Sequence, residues 1–241
     1  LNLPSSPEQQ KIASFLSTVD EKLQQLTKKK ELLEEYKKGV MQKIFSQELR
    51  FKDEFGNNYP AWEFKRGNEL FDSISNKNHN SDLPILAISQ EFGAIPRELI
   101  NYKISVTTSS VSSYKVVEKG DFVISLRSFQ GGIEYSNYKG ICSPAYIILR
   151  PTKEINDYYF KLYFKTHSYI QELTKKLEGI RDGKMISYKY FSEIKLPYPC
   201  LKEQQKIANF LSSLDSKIDL VSTQIENTKA FKKGLLQQMF V

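Results

Sequence analysis

The sequence predicts an α+β fold, a globular domain of mixed strands and helices set between two long helices. Three observations carry that reading. The segment Glu8-Gln9-Gln10-Lys11-Ile12-Ala13-Ser14-Phe15-Leu16-Ser17 recurs as Glu203-Gln204-Gln205-Lys206-Ile207-Ala208-Asn209-Phe210-Leu211-Ser212. Each copy opens a stripe of apolar residues at helical spacing. The stretch between the copies holds all but one of the 14 tyrosines and the only tryptophan, Trp62.

The first helix starts at Ser6-Pro7-Glu8-Gln9, with Ser6 as N-cap, Pro7 at the first helical position and Gln9 closing a capping box. Alternating steps of four and three from Ile12 meet Ile12, Leu16, Val19, Leu23, Leu26, Lys30, Leu33, Lys37, Val40 and Ile44. That is the spacing of a coiled-coil seam. A helix from Pro7 to Phe45 is about 58 Å long at 1.5 Å per residue.

The middle is predicted to contain strands at Leu83–Ser89, at Val116–Leu126 with a turn at Lys119-Gly120-Asp121, and at Ile141–Leu149. A helix is predicted from Asp157, as N-cap, to Lys176. A short helix follows from Ser187, then a strand over Ile194–Tyr198. In the last segment the same walk meets Ile207, Leu211, Leu214, Ile218, Val221, Ile225, Thr228, Lys232, Leu235 and Met239. The repeat holds its register without a gap, pairing Pro4 with Pro199, Asp20 with Asp215 and Lys37 with Lys232. The organisation read from this is a helical segment at 1–46, a globular domain at 47–201 and a second helical segment at 202–241. Neither stripe can be hidden by an isolated helix, so the two pack on each other, on partner helices, or both.

Composition narrows the function. With 35 Lys and Arg against 28 Asp and Glu, the net charge is +7, which favours an anionic partner, nucleic acid first. The domain itself carries only 21 basic against 18 acidic residues, so a nucleic-acid surface has to be concentrated in particular loops. No apolar run is long enough for a membrane helix and no signal peptide opens the chain. Two cysteines without a C-x-x-C spacing give no disulfide framework and no zinc site, which suits a reducing, cytoplasmic setting.

Catalytic signals are weak. There is no G-x-x-x-x-G-K-[ST] loop and no methyltransferase motif set. Asp53 with Glu63 and Lys65, and Asp182 with Glu193 and Lys195, have the spacing of a metal-dependent nuclease, but such triplets arise by chance in a chain this rich in charge. The expectation is a binder with no cofactor and no metal.

Two loops have the chemistry to read DNA. Leu126-Arg127-Ser128-Phe129-Gln130-Gly131-Gly132 follows a strand. Arg127 can grip guanine O6 and N7, Gln130 can pair with adenine, Ser128 adds a hydroxyl, and the glycines allow close approach of backbone to phosphate. Gly179-Ile180-Arg181-Asp182-Gly183-Lys184 runs on to Ser187-Tyr188-Lys189-Tyr190. There Arg181 could read a base while Lys184 and Lys189 hold phosphates beside Tyr188. The competing reading of both is a solvated turn. Asn76–Asn80 reads as a polar loop and Lys28–Lys30 as a solvated helix face.

The doubled Glu-Gln-Gln-Lys-Ile-Ala, Trp62, the Gly120-Asp121 turn before Phe122–Ser125, Ser143-Pro144-Ala145 and the run from Ile186 to Pro199 resemble Type I restriction–modification specificity subunits. The resemblance spans essentially the whole chain. It implies a target-recognition domain at 47–201 that reads a DNA half-site. It also implies an antiparallel coiled coil of the two flanking helices and docking of methyltransferase subunits, with restriction subunits recruited through them. On this reading Ile12, Leu16, Val19, Leu23, Leu26, Ile207, Leu211, Leu214, Ile218 and Val221 form the partner and helix interface, and catalysis belongs to the partners. The alternatives are a metal-dependent nuclease and a coiled-coil adaptor without sequence-specific DNA binding. Such subunits carry two recognition domains where this sequence has one, and it starts at Leu1 within a repeat unit. It is therefore expected either to be the C-terminal half of a longer subunit or to form a homodimer through its helices.

Overall fold

A computed structural model describes residues 4–80, 82–100, 111–175 and 186–240. It divides into two compact units, Leu1–Arg50 with Asn209–Val241, and Phe51–Ala208.

The helical unit contains α1 (Ser6–Phe45) and most of a second long helix, Leu201–Phe240. The first begins one residue earlier than the sequence suggested. Ser5 is the N-cap, and its backbone N–H and hydroxyl donate to Glu8 at 2.8 and 2.6 Å. Glu8 displaces Gln9 as the closing residue because a carboxylate is the stronger acceptor. All ten positions of the first stripe are buried or half-buried, and Val19, Leu26, Val40 and Ile44 are fully so. Leu211, Leu214, Ile218, Val221 and Ile225 match them on the other helix.

The pairing is antiparallel. Leu26 packs with Val221 and Ile225, flanked by Leu23 and Leu33. Phe15 meets Phe231 edge-on at 6.5 Å. Two of the three lysines that interrupt the stripes are ion-paired across the seam, Lys37 with Asp215 and Lys232 with Asp20, while Lys30 pairs with Glu34 on its own helix. The two seam pairs are one pair with the repeat copies exchanged, so the helices are related by an internal pseudo-two-fold. Partly exposed pairs of this kind contribute at most about 1 kcal/mol each, and their larger effect is to fix register.

The globular unit is mixed α+β. Its strands are β1 (Glu63–Arg66), β2 (Phe71–Ile74), β3 (Leu86–Ser89), β4 (Gly93–Pro96), β5 (Lys115–Val117), β6 (Phe122–Ile124), β7 (Glu134–Tyr135), β8 (Gly140–Cys142), β9 (Ile147–Pro151) and β10 (Lys195–Tyr198). The order β2-β9-β6-β7 makes a four-stranded antiparallel sheet, and β1 pairs with β10, β3 with β4 and β5 with β8. The helices are α2 (Gly67–Leu70), α3 (Ser128–Gly131), α4 (Asp157–Tyr163), α5 (His167–Thr174) and α6 (Tyr188–Glu193); Leu201–Phe240 is then α7. An aromatic core joins sheet to helices. Phe71 lies 5.4 to 6.0 Å from the rings of Phe160, Phe122, Phe164 and Phe191, and all five residues are fully buried.

Several elements differ from the sequence reading. The run Val116–Leu126 is two strands that do not pair with each other: β5 pairs with β8, and β6 with β7 and β9. The turn between them is held by Asp121, which accepts the Glu118 N–H and receives both bonds of Arg150, at 2.7 and 2.8 Å. Ile141–Leu149 is broken at Ser143-Pro144-Ala145, and the strand in Leu83–Ser89 starts only at Leu86.

The helix predicted from Asp157 to Lys176 is split into α4 and α5. The Thr166 hydroxyl bonds the Tyr163 carbonyl and caps α5, competing with a continuing helix. Asn156, not Asp157, caps α4 by accepting from Tyr159 N–H at 2.9 Å. The Asp157 carboxylate accepts the Tyr135 hydroxyl instead. Ser187 does cap α6.

Candidate nucleic-acid interface

The loop after β6 is built by its own hydroxyls. Ser125 N–H donates to Ser128 Oγ at 2.9 Å and Arg127 N–H to Ser125 Oγ at 3.2 Å. This turns the chain into α3, with Arg127 as its exposed N-cap. Gly132 has φ +82°, and a Cβ there would lie 2.0 Å from the Phe164 carbonyl oxygen. Only glycine fits. A Cβ on Gly131 would meet the Gln90 side chain at 2.4 Å. The glycines therefore serve chain packing, and the expected approach of backbone to phosphate is not what requires them.

Lys165 anchors the loop from beneath. Its ammonium donates to the Gly131 carbonyl at 2.9 Å and is ion-paired with the buried Glu134. Gln90, in the turn between β3 and β4, reaches the Arg127 carbonyl at 3.4 Å. Burial raises the Glu134 pKa, and the Lys165 charge opposes that rise. Replacing Lys165 with Met should destabilise the unit by about 1–3 kcal/mol at neutral pH, since it strands a buried carboxylate. With Glu134 raised above its unfolded value, the folded state holds the proton more tightly. The variant's deficit should therefore shrink as pH falls and grow as pH rises through the folded pKa. Urea unfolding at several pH values checks this, and a pH-independent deficit would contradict it.

Together these segments enclose a half-open cleft of about 660 Å³. Arg127 and Gln130 line one side; Arg97, Gln90 and Ser89 belong to the β3–β4 hairpin and its exit, and Tyr146 also faces the space. Neither Arg97 nor Arg127 has an ion-pair partner among the described residues, and the Arg97 Nε is buried without an acceptor. Two unpaired guanidinium groups beside two amides are suited to base edges or phosphate oxygens.

Of the residues expected to touch DNA, Arg127 and Gln130 come together at this cleft. Ser128 does not: it is 1% exposed and its hydroxyl is spent on the Ser125 amide. Tyr188 is also structural, its hydroxyl donating to the Phe71 carbonyl at 2.9 Å. Lys189 is exposed on α6 and is not among the cleft residues. Arg181 and Lys184 lie outside the described residues. Arg97 and Gln90 were missed, because only the pairing of β3 with β4 brings them to the Arg127 loop.

The first triplet with nuclease spacing is occupied otherwise, and Asp182 of the second lies outside the described residues. Asp53 accepts the backbone N–H groups of Phe55 and Asn57, and Glu63 pairs with Lys65 at 2.7 Å. Among the described residues no His, Cys, Asp and Glu cluster could hold a metal ion. Nor is any helix there long and apolar enough to cross a membrane.

The chain thus carries an aromatic-cored α+β domain, between two copies of one long helix in sequence, with a cleft lined by two arginines, two glutamines and Glu91. The family model for the Type I restriction modification DNA specificity domain matches residues 59–229, and the chain belongs to that family. It is 30% identical over 256 residues to the Type I restriction enzyme MjaVIII specificity subunit of Methanocaldococcus jannaschii, covering 97% of this chain and 59% of the relative. The MjaX specificity subunit of the same organism is 29% identical, with 97% and 56% covered. The HsdS subunit from Thermoanaerobacter tengcongensis has a similar fold, with TM-score 0.60 and 20% identity over 99% of this chain and 59% of that one. The S subunit from M. genitalium gives TM-score 0.57 at 19% identity, over 98% and 62%. The chain thus spans somewhat more than half the length of the relatives it matches.

Proposed function

We propose that this chain reads a short DNA half-site through the Arg97–Arg127 cleft. Its long helices would dock methyltransferase subunits and, through them, restriction subunits. The observation that carries the reading is the convergence of two unpaired arginines and two amides on a cleft of an otherwise nearly charge-balanced domain. Family membership supports it, as does the fold's likeness, at TM-score 0.57 and 21% identity, to a structure concerned with complex assembly of the type I R-M system. Chemistry on the DNA would then lie with the partner subunits, in keeping with the generally non-catalytic role of specificity subunits.

Electrophoretic retardation tests the division of labour. Arg127→Ala should cost about 1–3 kcal/mol at one cognate base pair and relax preference there. Lys184→Ala should weaken all sequences alike and flatten the salt dependence by about one phosphate equivalent. Equal loss on cognate and random DNA for Arg127→Ala would move it to the phosphate class.

One observation favours self-association as well. Because Asp20 and Lys37 are the repeat counterparts of Asp215 and Lys232, either helix offers a second copy of itself the same two ion pairs at the same register. A symmetric dimer would carry two identical recognition domains and prefer an interrupted palindrome. Sedimentation decides: a strict monomer at tens of micromolar would contradict this branch.

A further inference from the structure

The turn between β3 and β4 is fixed both from within and from behind. Ser89 Oγ accepts the N–H groups of Glu91 and Phe92 at 3.2 and 3.3 Å. Gly93 follows with φ +73°, and a Cβ there would lie 2.6 Å from the Tyr135 carbonyl oxygen. Ala94 then forms a bridge with Ser136. The hairpin is thereby pressed against β7, while Gln90 ties its tip to the Arg127 carbonyl.

On this fixed backbone stands an aromatic ring in water. Phe92 is 52% exposed, at a turn position where Asn, Asp, Ser or Gly is favoured. The ring does nothing for the turn, because Ser89 bonds backbone groups that any residue but proline would supply. A lone exposed ring is ordinary. What distinguishes Phe92 is its address. Gln90 and Glu91, just before it, line the cleft, and Leu126, 48% exposed, lines it on the Arg127 side. Apolar side chains thus stand beside the space that Arg97 and Arg127 enter. The Glu91 carboxylate repels phosphate, so the tip itself is suited to a base and not to the DNA backbone.

We propose that Phe92 is a stacking wedge. Its ring enters the duplex at a base step next to the base pairs read through the cleft and partly unstacks that step. The proposal rests on the DNA-reading function of the cleft and adds to it a contact that uses no hydrogen bond. Selectivity at the wedged step then comes from the ease of unstacking, which is greatest for pyrimidine–purine steps such as TA and CA. A fixed hairpin suits this role, since a ring on a mobile loop would spend part of its stacking energy on being ordered.

The test uses the full chain, together with the methyltransferase subunits proposed as its partners, on duplexes that carry its selected motif. A TA step is placed in turn at each position beside the motif, and permanganate reports any unstacked thymine. One position should give a reactive thymine with the unaltered chain, lose it with Phe92→Ala and keep it with Phe92→Tyr. Phe92→Ala should also weaken binding about ten-fold, with its melting temperature unchanged. A motif that still depends on Arg127, with affinity and thymine reactivity indifferent to Phe92→Ala, would overturn the wedge alone. Absence of any motif for the unaltered assembly would instead remove the cleft reading, and the wedge with it. A lowered melting temperature for Phe92→Ala would assign the ring to the fold. Loss of methyltransferase binding with DNA affinity retained would assign it to a protein contact. Either of these results overturns the proposal.

Discussion

Replacing Phe71 with alanine is expected to lower the stability of the globular unit by about 3–5 kcal/mol. Phe71 is fully buried and edge-on or tilted to four other aromatic rings. It also bridges elements distant in sequence, from β2 to β6, α4 and α6, and its carbonyl receives the Tyr188 hydroxyl. The surrounding rings are rigid and cannot collapse into the space, so the cavity term adds fully to the lost transfer energy. Urea unfolding followed by near-ultraviolet circular dichroism measures this. A loss below about 1 kcal/mol would mean that the aromatic cluster is not the core.

The second large effect concerns the helices. Leu23→Asp together with Ile218→Asp places two carboxylates on the apolar seam, where Ile218 is buried and Leu23 packs against the cluster of Leu26, Val221 and Ile225. An unpaired charge in such a seam costs several kcal/mol, more than an exposed helix pair can supply. The variant is expected to lose assembly with methyltransferase subunits while the globular unit unfolds at its original midpoint. Co-purification and sedimentation report the first outcome, and circular dichroism the second. Unchanged assembly would show that the helices are not the interface.

Much of the scaffold was legible because it rests on periodicity and punctuation. The stripe from Ile12 to Ile44 marks the buried face of α1 residue by residue, and even its polar interruption at Lys37 has a seam partner. Errors arose where a tertiary partner overrides a local signal. Thr166 and Asn156 take backbone groups that the helical pattern assigned to one continuous helix. Ser128 and Tyr188 look like surface hydroxyls in sequence, but their partners are the Ser125 amide and the distant Phe71 carbonyl. Gly132 is required by Phe164, 32 positions away, which no local rule anticipates. The same holds for the cleft. Arg127 and Gln130 could be picked out beside their strand, whereas Arg97 reaches them only through the β3–β4 hairpin. The Glu-Gln-Gln motif was legible as a repeat, but its chemistry emerged only from the bond between Glu203 and Trp62.

The central claim, that this domain reads bases through the cleft of Arg97 and Arg127, is tested most directly by enrichment from a randomised duplex library. The full chain, together with the methyltransferase subunits proposed as its partners, is compared with Arg127→Ala and Arg97→Ala at moderate salt. The expected result is a short motif for the unaltered chain that loses preference at one base pair in each variant and is unchanged elsewhere. Motifs identical in all three proteins, or no enrichment by the unaltered assembly, would contradict the account.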